Sequence, residues 1–312
     1  MERNSKILIT GSNGMVGKSL VTRLKSLNYN NLLTPTSQEL DLRNQKQVED
    51  YFKKKTPEYV FHLAAKVGGI KANMEAPAEF LYENLIIQAN IFEVAKNYKI
   101  KKLLFLGSSC IYPKNCPQPM KEEHLLTGKL EPTNEGYAIS KIAGLKTCEY
   151  YNKQFNTNFI SLMPCNLYGP NDHFEPEKSH VTPALILKFH EAKEKNTPFV
   201  EIWGTGNVKR ELLFVEDLTD AILHFMLNYN KDKLKSFINI GYGKDITIKE
   251  LALLIKEVTE YKGEVRFDPS KPEGMSEKLL DTQKAKELNW ESKISLKEGI
   301  KKTYDWYLEN ER

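Results

Sequence analysis

A short β-rich run, Lys6-Ile7-Leu8-Ile9-Thr10, leads straight into Gly11-Ser12-Asn13-Gly14-Met15-Val16-Gly17, after which Lys18 to Leu27 carry apolar residues at helical spacing. Strand, glycine turn and helix in that order leave few folds open. Glycines without side chains let the backbone close on a pyrophosphate, and the helix N-terminus offers unpaired N–H groups and the positive end of its dipole. The alternation then continues. Leu32-Leu33 reads as a second strand, Gln45 to Lys55 as a helix, Tyr59 to Leu63 as a third strand and Pro77 to Tyr98 as a long helix. Lys102 to Leu106, Tyr137 to Phe155 and Asn158 to Met163 follow as strand, helix and strand. This pattern predicts an α/β fold, a Rossmann-type doubly wound parallel sheet with helices on both faces.

After Pro164 the rhythm breaks into Pro- and Gly-rich connections. A helix is expected around Pro183 to Lys195, short strands near Val200 to Trp203 and Ser236 to Ile240, and helices over Ile248 to Glu260 and Leu296 to Leu308. Residues 1–165, with returning segments about 208–245, are expected to form the nucleotide-binding domain. Residues 166–207 and about 246–312 are expected to form a smaller C-terminal substrate-binding lobe over the sheet's C-terminal edge, where open α/β sheets bind ligands.

The 312 residues carry 45 Lys+Arg against 41 Asp+Glu, yet only six are Arg, at 3, 23, 43, 210, 266 and 312. Lysine excess without guanidinium forks describes a solvated surface and argues against nucleic-acid binding. The first residues, Met1 to Lys6, are too short and polar for an export signal, and no stretch approaches the ~18 apolar residues of a membrane span. A cytoplasmic protein with no membrane partner is expected. Cys110, Cys116, Cys148 and Cys165 are then expected as free thiols, and Cys110-x5-Cys116 has the wrong spacing for zinc, so no metal is expected.

Tyr137-Ala138-Ile139-Ser140-Lys141 places a phenol and an ammonium on one helix face. A tyrosine is a poor proton donor near pH 7, and an adjacent cation is expected to lower its pKa toward use. Lys141 can also hold a nicotinamide ribose. The helix follows the fourth strand and its Gly107-Ser108-Ser109-Cys110 end, so Ser108 is placed to bind the carbonyl oxygen that Tyr137 protonates. No Asp or Glu closes the second strand to claim a free ribose 2′-OH. Thr36, Ser37 and Gln38 can hydrogen-bond a 2′-phosphate without neutralising it, which favours NADP and leaves NAD open.

These motifs, with Ala64-Ala65-Lys66-Val67-Gly68-Gly69-Ile70, Gly107 to Pro113, Glu131 to Glu135, Asn166-Leu167-Tyr168-Gly169-Pro170, Ser179-His180-Val181 and Ser270-Lys271-Pro272, resemble the extended short-chain dehydrogenase/reductases and, within them, the GDP-L-fucose synthase subfamily. The resemblance covers nearly the whole chain. It implies an NADPH-dependent enzyme that epimerises C3 and C5 of GDP-4-keto-6-deoxymannose and then reduces C4. By resemblance, Ser108, Tyr137, Lys141, Cys110 and His180 are catalytic. Gly11, Asn13, Gly14, Met15, Val16, Gly17, Ser37, Leu63, Ala64, Ala65, Lys141, Pro164, Asn166, Leu167 and His180 would line the cofactor. Lys188, Trp203, Arg210 and Lys271, and more weakly Glu273, would meet the sugar nucleotide, and the two long helices would pair across a homodimer.

The chemistry is self-consistent. A C4 ketone acidifies both flanking carbons, so one base and one acid suffice to invert them. Cys110 as a thiolate near His⁺, with the His180 imidazole as partner acid, fits that need. Asn13 and Ser37 stand where the subfamily carries arginines, Gly136 where it carries proline, and Ser276-Glu277 in a region usually basic. A C4-reductase of a GDP-4-keto-6-deoxy-heptose, with Cys110 and His180 idle, is the alternative these departures leave.

Overall fold

The computed structural model describes residues 1–175, 179–271 and 276–311. The chain opens with β1 (Ile7–Thr10), α1 (Met15–Ser26), β2 (Leu32–Leu33), α2 (Gln45–Lys55), β3 (Tyr59–His62), α3 (Ile70–Glu75), α4 (Pro77–Asn97), β4 (Lys102–Leu106), α5 (Glu135–Phe155) and β5 (Phe159–Pro164). It continues through β6 (Asn166–Tyr168), α6 (Val181–Glu194), β7 (Phe199–Trp203), β8 (Lys209–Phe214), α7 (Val215–Asn228), α8 (Lys231–Leu234) and β9 (Ile238–Ile240). Then come β10 (Asp245–Thr247), α9 (Ile248–Thr259), β11 (Glu264–Asp268), α10 (Gln283–Glu287) and α11 (Leu296–Asn310).

Six strands form the central sheet in the order β2-β1-β3-β4-β5-β9, every pair parallel. β1, β3, β4 and β5 are buried along their whole length, which is why each reads as a continuous apolar run rather than an alternation. The chain leaves β1 toward β2 and returns on the other side to β3. A crevice therefore opens between the C-terminal ends of β1 and β3, the topological switch point at which such sheets take their ligands. Two smaller sheets lie beyond it: β10-β8-β6, and the parallel pair β11-β7.

The apolar side chains collect into two cores. One surrounds the central sheet and includes Leu280, Ala285 and Trp290 from the C-terminal segment. The other gathers Tyr168, Leu185, Phe189, Val200, Leu251 and Tyr304. The sequence pattern did not reveal β6, β8, α7, β10 or β11. In β8 and α7 the reason is visible, since Lys209–Phe214 passes into Val215–Asn228 with no Gly or Pro to mark the change of period.

One buried cation ties helix to sheet. Lys102, at the start of β4, donates to the carbonyls of Phe225 at 3.0 Å and Met226 at 2.6 Å, and to that of Tyr229, closing the C-terminal end of α7. Hydrogen bonds from a charged donor to those orphan carbonyls are worth about 1.5–3 kcal/mol each. Lys102→Met, which keeps the stem and removes the donors, is expected to destabilise the fold by about 2 kcal/mol in urea titrations.

Candidate active site

The glycine turn is sterically locked. Gly11 adopts φ +72°, and a Cβ there would stand 2.8 Å from the Ala64 nitrogen. A Cβ on Gly17 would stand 2.1 Å from the Gly11 carbonyl oxygen, so α1 can start at Met15 only because the third glycine lets its first turn press onto the loop. Thr10 and His62, at the ends of β1 and β3, share a 2.9 Å hydrogen bond, and the Ala64 N–H donates to the Thr10 hydroxyl at 3.3 Å. Leu63, Ala64 and Ala65 are thereby held against the glycine turn across the crevice. Asn13 and Gly14 are exposed there, with Met15 and Val16 half-buried behind them.

The Ser12 hydroxyl is buried without a partner among the described residues. A bare cradle, a helix N-terminus and an orphaned hydroxyl fit a dinucleotide pyrophosphate. Ser37 lies exposed in the turn after β2. Glu39 folds back so that its carboxylate accepts the Thr36 N–H at 2.8 Å, an acid near the end of β2 that the strand's own sequence does not show.

Ser108, two residues beyond β4, is in extended conformation and its hydroxyl accepts the Cys110 N–H at 3.4 Å, as the chain bends into a short 3-10 turn. Tyr137, two residues inside α5, hydrogen-bonds Ser108 and lies within electrostatic reach of Cys110. The three side chains thus converge as the order of motifs suggested. The expected depression of the tyrosine pKa is not present. Burial and the neighbouring Cys110 push the Tyr137 phenol above its ordinary value, with only the Ser108 hydrogen bond acting the other way. The Lys141 ammonium lies 5.7 Å from the Tyr137 ring centroid and donates to the Leu106 carbonyl at 2.9 Å. Burial pulls Lys141 down to about 8, so it still carries its proton at pH 7.

A second correction concerns Cys110. Burial raises its thiol pKa, while Lys278, the Ser108 hydrogen bond and Lys141 oppose that rise. His180, the N-cap of α6, is held below the ordinary histidine value by its packing and by the charges of Lys278 and His173. The resting pair is therefore a protonated thiol and a neutral imidazole. The cations that favour a Cys110 thiolate are lysines, not an imidazolium.

Pro164 ends β5, and Asn166 and Leu167 open β6, at the same edge of the sheet. Trp203 ends β7 with 58% of its surface exposed, which excludes core packing, and the Lys271 ammonium lies 6.0 Å from its ring. Lys188 is exposed on α6 and donates to the Glu201 carbonyl at 3.0 Å. Arg210 bonds the Lys209 carbonyl at 2.7 Å and acts electrostatically on Lys278. Glu273 and Pro272 lie outside the described residues. Gly136 has a local explanation: a Cβ there would stand 2.7 Å from the Pro77 carbonyl oxygen, so α5 starts hard against the start of α4.

The model of the NAD dependent epimerase/dehydratase family matches residues 7–241. The chain belongs to this family. It is 51% identical over 310 residues to "Putative GDP-L-fucose synthase 2" of Arabidopsis thaliana, covering 99% of this chain and 94% of that one. It is 48% identical over 312 residues to the GDP-L-fucose synthase of Escherichia coli (strain K12), covering 98% and 97%. Among solved structures it superposes at a TM-score of 0.91 on a GDP-mannoheptose C4 reductase from Campylobacter jejuni with NADP bound, at 43% identity and covering 99% of both chains.

Two residues of this family member stand in the site although no motif announced them. Lys278 acts on Cys110, Cys165, His180, Arg210 and Glu211 together, and its own pKa is lowered by burial. Glu211 is 1% exposed, and burial raises its pKa to about 7. A lysine among 39 has no local signature. Only the fold brings this one, half-buried, within the field of a thiol.

Proposed function

We propose that the protein is a GDP-4-keto-6-deoxy-sugar epimerase-reductase of the GDP-L-fucose synthase type, NADPH-dependent and cytoplasmic. The observation that carries this reading is the convergence of Ser108, Tyr137 and Cys110 at the end of β4, with a cation edge facing them. Gly11, Gly14 and Gly17, with Ser12 and Leu63 to Ala65, would hold the dinucleotide, which when bound supplies the hydride. Ser108 and Tyr137 hydrogen-bond the C4 ketone, and the resulting polarisation acidifies C3 and C5. Cys110 and His180 remove and return protons at those carbons, and Tyr137 gives its proton to the oxygen at C4. Arg210, Lys188 and Lys271 meet the diphosphate and Trp203 flanks the nucleotide.

Residues 1–165 with 208–245 form the cofactor domain of this proposal and 166–207 with the segments around α9 and α11 its sugar-nucleotide lobe; the expected lobe over 246–312 is corrected at Leu280, Ala285 and Trp290, which pack into the core of the central sheet. Incubation with NADPH and GDP-4-keto-6-deoxymannose in D₂O is expected to give GDP-L-fucose with deuterium at C3 and C5, read by NMR. Reduced product without deuterium at either carbon would leave the second reading, C4 reduction of a GDP-4-keto-6-deoxy-heptose. That reading is favoured by the Ser276-Glu277 departure and by the name of the Campylobacter relative.

A homodimer belongs to the same proposal. α4 and α5 pack on each other and leave Tyr82 (67% exposed), Leu85 and Ile139 on outward faces, an apolar surface that a second copy would cover. Sedimentation velocity is expected to show a dimer that Tyr82→Glu converts to monomer.

A further inference from the structure

Glu211, the one carboxylate of β8, is 1% exposed, yet no step of the proposed reaction uses it. Its two oxygens accept backbone N–H groups from two different segments, Gly243 at 2.7 Å and Leu280 at 2.9 Å. Its own N–H donates to the Lys278 carbonyl at 3.3 Å, and one residue pair earlier the Lys209 N–H donates to the Ser276 carbonyl at 2.9 Å. Further hydrogen bonds reach it from Cys165 and the Tyr242 backbone. The turn after β9 is shaped to admit it: a Cβ on Gly241 would stand 2.2 Å from the Glu211 carboxylate. One side chain and its peptide therefore tie the 276–280 segment to β8, while the segment's other edge is held by Met120, whose N–H donates to the Leu279 carbonyl and whose carbonyl accepts the Asp281 N–H, at 2.8 Å each.

The segment carries Lys278. Its ammonium lies within electrostatic reach of Cys110 beyond the end of β4, Cys165 between β5 and β6, Arg210 and Glu211 on β8, and His180 at the head of α6. We propose that Glu211 is a positioning residue of the sugar-ring site: it latches the 278–280 backbone to β8 and so stations Lys278 beside the Cys110 thiol. The inference rests on reading the Cys110 region as the proton-transfer site, but it concerns the protein alone and is testable without substrate. Gln in place of Glu keeps the volume and one acceptor oxygen, while its amide nitrogen cannot accept the second N–H. The backbone bonds of residue 211 to Lys278 and of Met120 to the segment remain, so the Lys278 ammonium is loosened and its support of the Cys110 thiolate weakens.

The test is the rate of Cys110 alkylation by iodoacetamide at pH 8, where Glu211 is largely ionised, followed by mass spectrometry that separates Cys110 from Cys116, Cys148 and Cys165. NADPH binding, read by fluorescence, serves as the control for an intact glycine cradle. Lys278→Met is expected to slow the reaction about tenfold, the thiolate loss for a pKa rise of one unit. Glu211→Gln is expected to slow it severalfold. The double variant is expected to be no slower than Lys278→Met alone, because Glu211 acts through Lys278.

The sign is diagnostic, since merely deleting a nearby negative charge would speed alkylation. Faster or unchanged alkylation in Glu211→Gln, or multiplying effects in the double variant, would overturn the proposal. Should Glu211→Gln not fold, Lys278→Met alone decides: unchanged Cys110 reactivity removes the basis for the latch. These results stand apart from turnover, so failure of every keto-sugar as substrate would count against the proposed function and leave the latch to its own test.

Discussion

Tyr137→Phe is expected to lower the rate of C4 reduction by about three orders of magnitude, in line with loss of a positioned general acid, while C3/C5 deuterium exchange stays measurable. The phenol hydrogen-bonds Ser108, as does the Cys110 thiol. Exchange needs only a polarised ketone, and the Ser108 hydroxyl remains. The phenol's own pKa is raised by burial, so the tyrosine enters the reaction fully protonated. That suits a proton donor and contradicts the simpler picture of a cation-lowered phenol. Lys141 sets the alkaline limit. Its pKa is depressed to about 8, so the ammonium is present below that value and lost above it. The reduction rate is expected to fall as pH rises through about 8, and a rate flat to pH 9.5 would show that the charge on Lys141 is not used.

Cys110→Ala is expected to abolish deuterium incorporation, by a factor of at least about a hundred, and to leave a slower reductase that delivers hydride to the uninverted 4-keto-sugar. The thiol is 7% exposed, beside Tyr137 and within the fields of Lys141 and Lys278. Removing one small side chain from that position leaves Ser108, Tyr137 and Lys141 in place. Full exchange in Cys110→Ala, followed by mass spectrometry of the recovered sugar nucleotide, would move the proton-transfer role elsewhere and strengthen the reductase reading. Loss of reduction together with exchange would show that inversion must precede hydride delivery.

Much of the N-terminal half was legible because its signals are contiguous. Gly11, Gly14 and Gly17 are needed where they stand for reasons that act over a few residues: a left-handed φ at Gly11 and a 2.1 Å approach at Gly17. Tyr137 and Lys141 share a face because a helix brings i and i+4 together whatever lies around it. Gln45–Lys55 was bounded correctly since Asn44 accepts the Gln47 N–H and Thr56 takes the left-handed region just beyond the last turn.

The C-terminal half was less legible. β8 and β10 pair antiparallel, β6 joins β8 in parallel, and β7 finds β11 across some sixty residues, so no local run shows the partner that makes it a strand. Trp203 could not be told from a core aromatic until its exposure was known.

By itself the sequence determined the nucleotide cradle, the βαβ alternation and the tyrosine–lysine pair, since each depends on backbone conformation and spacing within one or two elements. Tertiary structure alone decided the ionisation of the site. It buried Cys110 and half-buried Tyr137, brought Lys278 and Glu211 together across 67 positions of the chain, and replaced an imidazolium by lysines as the cations near the thiol. Charge states follow from burial and from which groups meet, and neither is a property of any short stretch of chain.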